Sequence, residues 1–129
     1  MSPDDLARVA VVVDRATAHP DLASRFYARL FEEAPETRAM FGDLESQEMK
    51  LAEELTTLLA LLGDMATLEP RAVDLGRRHR GYGVRATHYR LAQRLLREVL
   101  EELLGDAFGE AEADSWSRAT TLVTELMQS

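Results

Sequence analysis

Apolar residues recur along this chain every three or four positions, the spacing that lines up one face of an α-helix. Leu6, Val9 and Val13 make the first such stripe. Ser2 is positioned to cap it, Pro3 fits its first helical position, and Asp4 and Asp5 put negative charge in its first turn. The pair His19-Pro20 ends it, because proline pushes the residue before it out of helical geometry. A second helix is expected from about Pro20, with Leu22, Phe26 and Leu30 on one stripe and Tyr27 and Phe31 beside it. Pro35 then opens a short helix over Glu36 to Met40, ending near Phe41-Gly42.

Four more segments follow. Ser46 is the expected cap of a helix carrying Leu51, Leu55, Leu58, Leu59 and Leu62, with Gly63 as its stop. Pro70 is expected to start a shorter helix that ends around Gly81 or Gly83. Thr87 can cap a long helix with Leu91, Leu95, Leu96, Val99 and Leu103 inward, closed by Gly105. The last helix runs from about Glu110 with Trp116, Ala119, Leu122, Val123 and Leu126 inward. Asparagine is absent and Gly and Pro together number only 11, so hairpin signals are scarce. Repeats, linkers and sustained heptads are missing as well. The pattern predicts one all-α domain over residues 1–129, with helices too unequal for an even four-helix bundle.

Composition narrows the chemistry. With 129 residues, 46% hydrophobic and 29% charged, the chain can build a core and is not of disordered type. Its net charge of −8 offers no overall basic field, so neither nucleic acid nor an anionic membrane is an expected partner. The absence of cysteine excludes disulfides, thiolate metal sites and cysteine nucleophiles. The first residues carry no basic, apolar leader pattern and no apolar run reaches spanning length, so the cytoplasm is the expected location.

Few residues can carry chemistry. His79 falls in the last turn of a helix with Leu75 four residues before it. There its ring can be oriented by the Leu75 carbonyl and serve as an axial nitrogen ligand to a metal cofactor. Flanked by Arg77, Arg78 and Arg80, it reads more simply, from periodicity alone, as a histidine on a solvated face. Tyr27 and Gln47 are hydrogen-bond donors on two other helices, or else a core tyrosine and a surface glutamine. Phe41 is either a core plug or a ring that stacks on a flat cofactor. His88 and His19 read as first-turn and loop residues, and the adjacent pairs Glu53-Glu54 and Glu101-Glu102 point apart on their helices.

Taken together these segments resemble the bacterial globins, both the single-domain haemoglobins and the globin domain of flavohaemoglobins. Phe26-Tyr-Ala-Arg-Leu-Phe31 and Pro35-Glu-Thr-Arg-Ala-Met-Phe41 are similar to their B helix and C corner. Ser46-Gln-Glu-Met-Lys-Leu51 is similar to the start of their E helix. The stretch from Leu75 through His79 to Tyr89 is similar to their F helix, FG corner and start of G, and Trp116 to their H-helix tryptophan. The likeness covers essentially the whole chain.

The resemblance implies a three-over-three globin fold holding one haem b. It implies that His79 is the proximal ligand, Tyr27 the B-helix tyrosine and Gln47 the distal E-helix residue. Leu51 would lie over the iron and Phe41 would wedge against the haem. Leu75 and Val84 would pack on the proximal side, and Arg78 would reach a propionate. Tyr89 matches a tyrosine that in flavohaemoglobins joins an H-helix glutamate behind the proximal histidine. That glutamate would fall about two residues past Ser129, and Glu125 is out of register for it. The implied ligands are O2, CO and NO, bound by a monomer or weak homodimer. Nitric oxide dioxygenase turnover would need an external reductase. The other reading open at this stage is a globin-type sensor or interaction module that passes haem or gas state to a partner.

Overall fold

The computed structural model describes all 129 residues, and no strand is among them. Six α-helices follow one another: α1 (Pro3–Thr17), α2 (Leu22–Glu33), α3 (Leu44–Leu59), α4 (Met65–Gly81), α5 (Ala86–Leu104) and α6 (Glu110–Gln128). A 3₁₀ segment, Pro35–Met40, links α2 to α3, and a second, Gly105–Ala107, links α5 to α6. The principal packings are α4 and α1 on α6, α2 on α5, and α1 on α3. They give two layers of three, with α1, α3 and α4 over α2, α5 and α6, which is the all-α globin arrangement. Trp116, Leu68, Leu95, Leu100, Val9, Val12 and Val99 are fully buried where the layers meet.

Helix boundaries depart from the expectations at four starts or stops. Asp43, not Ser46, caps α3, accepting the Ser46 N–H at 3.0 Å, so Gln47 lies one residue beyond the cap's reach. Ala60 closes that helix three residues before Gly63. Pro70 does not begin α4 but sits inside it. Asp64 starts the helix by accepting from the Thr67 N–H at 3.3 Å and the Thr67 hydroxyl at 2.7 Å. Helix α5 starts at Ala86 rather than after Thr87, and the His88 ring accepts the Arg85 N–H at 2.9 Å. Gly105 does end α5, with φ of +52° that a side chain would resist. The break at His19-Pro20 also holds, although α2 begins two residues later, at Leu22.

Two contacts fix the height of the outer helices. Gly76 of α4 meets the backbone of α6 so closely that an added Cβ would lie 1.7 Å from the Met127 carbonyl oxygen. At the other end, buried Asp5 of α1 accepts from Ser115 at 2.7 Å and Arg118 at 2.8 Å, both on α6, and from the Ser2 N–H at 3.1 Å. The Arg118 guanidinium above all, then Ser115 and Ser2, holds the Asp5 carboxyl far below the usual carboxylate range. A depressed folded-state value stabilises the fold above the ordinary carboxylate pKa, and that stabilisation fades as acid is added below it. Asp5→Asn should therefore be less stable at pH 7 and should lose less further stability than the parent between about pH 4 and pH 2. Denaturant melts across that range check this, and parallel curves for the two proteins would contradict it.

Candidate functional site

The chemistry-bearing residues lie on α2, the corner after it, α3, α4 and the start of α5, and α3 and α4 touch far less than α4 touches α6. Phe31, Phe41, Leu44, Leu51, Leu55 and Val84 are all half-buried and packed against the core cluster. Such a set forms an apolar wall that the chain itself only partly covers.

On the α4 side, His79 Nδ1 lies 2.9 Å from the Leu75 carbonyl oxygen. With Nδ1 committed as the donor to that carbonyl, Nε2 is the free nitrogen with a lone pair to offer. Burial pushes the imidazole below its ordinary value. The Leu75 contact opposes the shift, Arg78 adds to it and Glu54 opposes it. The ring is thus neutral near pH 7, the form that binds metals. The ring of Tyr89, at the start of α5, stacks 6.1 Å from that of His79 with 21° between planes. Burial raises its phenol and Arg80 opposes the shift, so it too is neutral near pH 7.

The Tyr89 hydroxyl is buried and has no hydrogen-bond partner. An unsatisfied buried polar group costs roughly 1–3 kcal/mol. Tyr89→Phe keeps the stacked ring and removes the orphan, so it should raise stability by about 1 kcal/mol. Thermal melts of the two proteins side by side test this, and a lower melting temperature for the variant would mean that the hydroxyl is engaged.

On the opposite side, Tyr27 sits in a box of rings: Phe26 at 5.2 Å, Phe41 at 5.3 Å and Phe31 at 5.9 Å between centroids. Its hydroxyl donates to the Gln47 backbone carbonyl at 3.4 Å, a long and weak bond. Burial pushes the phenol up to about 12, with Glu48 adding to the shift, so it keeps its proton. Phe41 is held at this corner because Arg38 donates to its carbonyl at 3.1 Å and to that of Gly42 at 3.4 Å. The Arg38 guanidinium also lies 5.5 Å from the Phe31 ring centre.

Tyr27, Phe41 and Gln47 thus meet on one side, and Leu75, His79 and Tyr89 on the other. Val84 joins the second group, its N–H donating to the His79 carbonyl at 3.1 Å. Leu51 is half-buried on α3. Arg78 stands apart from the apolar wall. It is exposed, 3.5 Å from Asp74, and lines a cleft of about 260 Å³ with Arg71, Glu54, Leu58 and Pro70. From the sequence Glu54 reads only as half of a solvated pair with Glu53, and Arg71 is not singled out. Helical spacing could have found both: Glu54 lies two turns beyond Gln47, and Arg71 two turns before Arg78.

The globin family profile matches residues 24–127. The chain belongs to the globin family. Its fold is similar to that of an engineered carbene transferase, itself a candidate nitric oxide dioxygenase of Rhodothermus marinus. That likeness has a TM-score of 0.83 at 28% identity, over 98% of this chain and 90% of that one. A bacterial globin from Campylobacter jejuni shares the fold with a TM-score of 0.78 at 19% identity, over 98% of this chain and 94% of that one. No curated protein matches the chain significantly.

Membership of the family implies a haem cofactor and gas binding at it. The residues present fit that group. No three His, Cys, Asp or Glu side chains are grouped to hold a bare metal ion. The half-buried apolar wall, the free Nε2 of a neutral imidazole and the rings around Tyr27 suit a flat apolar plate. No helix is long and apolar enough to cross a membrane.

Proposed function

We propose that this globin holds one haem b in the slot between α3 and α4, with His79 as the proximal ligand, and reversibly binds O2, and also CO and NO. The observation that carries the reading is the 2.9 Å contact between His79 Nδ1 and the Leu75 carbonyl, which fixes the tautomer and turns Nε2 free. When bound, ferrous haem supplies the open coordination position at which a diatomic gas attaches.

The remaining work falls to the chain. Leu75, Leu51, Val84 and Phe41 keep the slot apolar, which strengthens any hydrogen bond made inside it. The imidazole is oriented by a neutral carbonyl and by the face of Tyr89. Tyr27 keeps its proton and spends it on a bond of only 3.4 Å. Turning that hydroxyl from the Gln47 carbonyl to a gas oxygen therefore costs little. The Gln47 side-chain amide is the second donor. Arg78 is suited to a propionate, for which it would exchange Asp74.

Two donors to held O2 slow its release, which favours NO scavenging or storage over delivery. Tyr27→Phe should release O2 at least tenfold faster, because roughly 1.4 kcal/mol of lost hydrogen bonding is a factor of ten. Gln47→Leu should act in the same direction. Stopped-flow displacement of O2 by CO measures both, and unchanged off-rates in the two variants would remove Tyr27 and Gln47 from the distal role. A nitric oxide dioxygenase activity with an external reductase is the second reading, favoured by the likeness to the Rhodothermus marinus protein. Turnover of NO to nitrate by the reduced, oxygenated protein decides it.

A further inference from the structure

Charge is distributed very unevenly over this acidic molecule. Residues 71–85 hold five arginines, at positions 71, 77, 78, 80 and 85, against the single carboxylate of Asp74, a local charge of +4. The other 114 residues carry ten basic and 22 acidic side chains, which leaves −12. The five arginines run along α4 from Arg71 and along the turn that follows it, all at exposed positions, with Glu69 on the same helix and Glu54 across the cleft as further carboxylates. Asp74 is shared between Arg77 and Arg78 at 3.5 Å each, so its one charge offsets only one of them. Arg80 reaches only the uncharged Met127 carbonyl, at 3.5 Å. Arg71 and Arg78 line the cleft between α3 and α4.

A patch of one sign at the mouth of a slot, on a body of the opposite sign, orients a charged partner as it approaches. We propose that α4 and the α4–α5 turn form the docking surface for a separate, acidic electron-carrier protein. This inference rests on the haem reading above. The electron that such a one-electron carrier gives up would pass to the oxidised haem that His79 is proposed to hold. The rest of the molecule, at −12, repels an acidic partner that arrives on any other face. That same field disfavours a long polyanion such as DNA, which would have to run past the patch.

Oxidised plant-type ferredoxin, an acidic one-electron carrier, is the probe. Titrated into the ¹⁵N-labelled holoprotein at low salt, it should shift backbone signals of α4 and the α4–α5 turn, and the shifts should fade with added salt. Reduced ferredoxin should then reduce the ferric protein at a rate that falls with ionic strength. Arg77→Glu should slow this at least threefold. Arg15→Glu, the same charge change on exposed α1, should leave it within twofold. Equal slowing by both variants, shifts on other faces, or tighter binding of a DNA duplex than of ferredoxin at the same patch would overturn the proposal. A protein that takes up no haem would instead fail the reading beneath it, and the absorption spectrum separates the two cases.

Discussion

Gly76→Ala should be among the most destabilising single-methyl changes in this protein. A Cβ at position 76 would lie 1.7 Å from the Met127 carbonyl oxygen, 2.5 Å from its carbonyl carbon and 2.7 Å from its Cα. All three are backbone atoms of a 19-residue helix, so no side chain can swing aside to make room. α4 and α6 must move apart, and Trp116, Ala119 and Val123, buried on α6, lose packing with them. Alanine is the better helix former by about 0.8–1 kcal/mol, but overpacking a tight contact costs roughly 1–3 kcal/mol and more when the obstacle is backbone. The clash wins, with a net loss on the order of 3 kcal/mol and a fall in Tm of roughly 10 °C. Urea melts of Gly76→Ala and Gly81→Ala make the test, because nothing lies within 4 Å of a Cβ at Gly81. Equal stabilities for the two variants would show that the helices accommodate the methyl group. The consequence reaches the site as well, since Gly76 follows Leu75, whose carbonyl orients His79.

Nothing in the sequence marks Gly76 as constrained. Its reason lies 51 residues away in the α6 backbone, and hydrophobic periodicity carries no information on how near two helix axes come. The helices themselves were legible because each buries one stripe, and stripes such as Leu22, Phe26 and Leu30 are local patterns. Their ends were less so. Ser46 and Asp43 both qualify as caps, as do Asp64 and a proline-led start at Pro70. Which one wins depends on where the chain must turn to stack its layers. The Leu75–His79 contact was readable because a side chain reaching the carbonyl one turn back is local geometry. Tyr27 meeting Gln47 required the resemblance to known globins, since the two lie 20 residues apart on separate helices. The orphaned Tyr89 hydroxyl depends on which polar groups the packed helices bring near it, and no spacing rule reports that.

The largest functional effect expected is that of His79→Ala, which should lose haem at least a hundredfold faster than the parent. Removing the imidazole takes away the nitrogen proposed to bond the iron, and no group of three His, Cys, Asp or Glu side chains offers a replacement metal site. The apolar wall alone would then hold the plate, through contacts that fix neither its tilt nor its spin state. Alanine suits the last turn of α4, and the lost Nδ1 contact is to a carbonyl that is also the natural acceptor of the residue 79 N–H. The apoprotein should therefore keep its fold to within about 1 kcal/mol, so that cofactor loss is not confused with unfolding. Added imidazole, entering the space the ring vacates, should restore the haem absorption band and its shift with CO. Arg78→Ala, which would lose a propionate contact but leave the imidazole in place, should speed haem transfer to apomyoglobin by far less. The three proteins separate direct ligation from general pocket damage. Retention of haem and of CO affinity by His79→Ala would place the iron on another residue and undo the assignment.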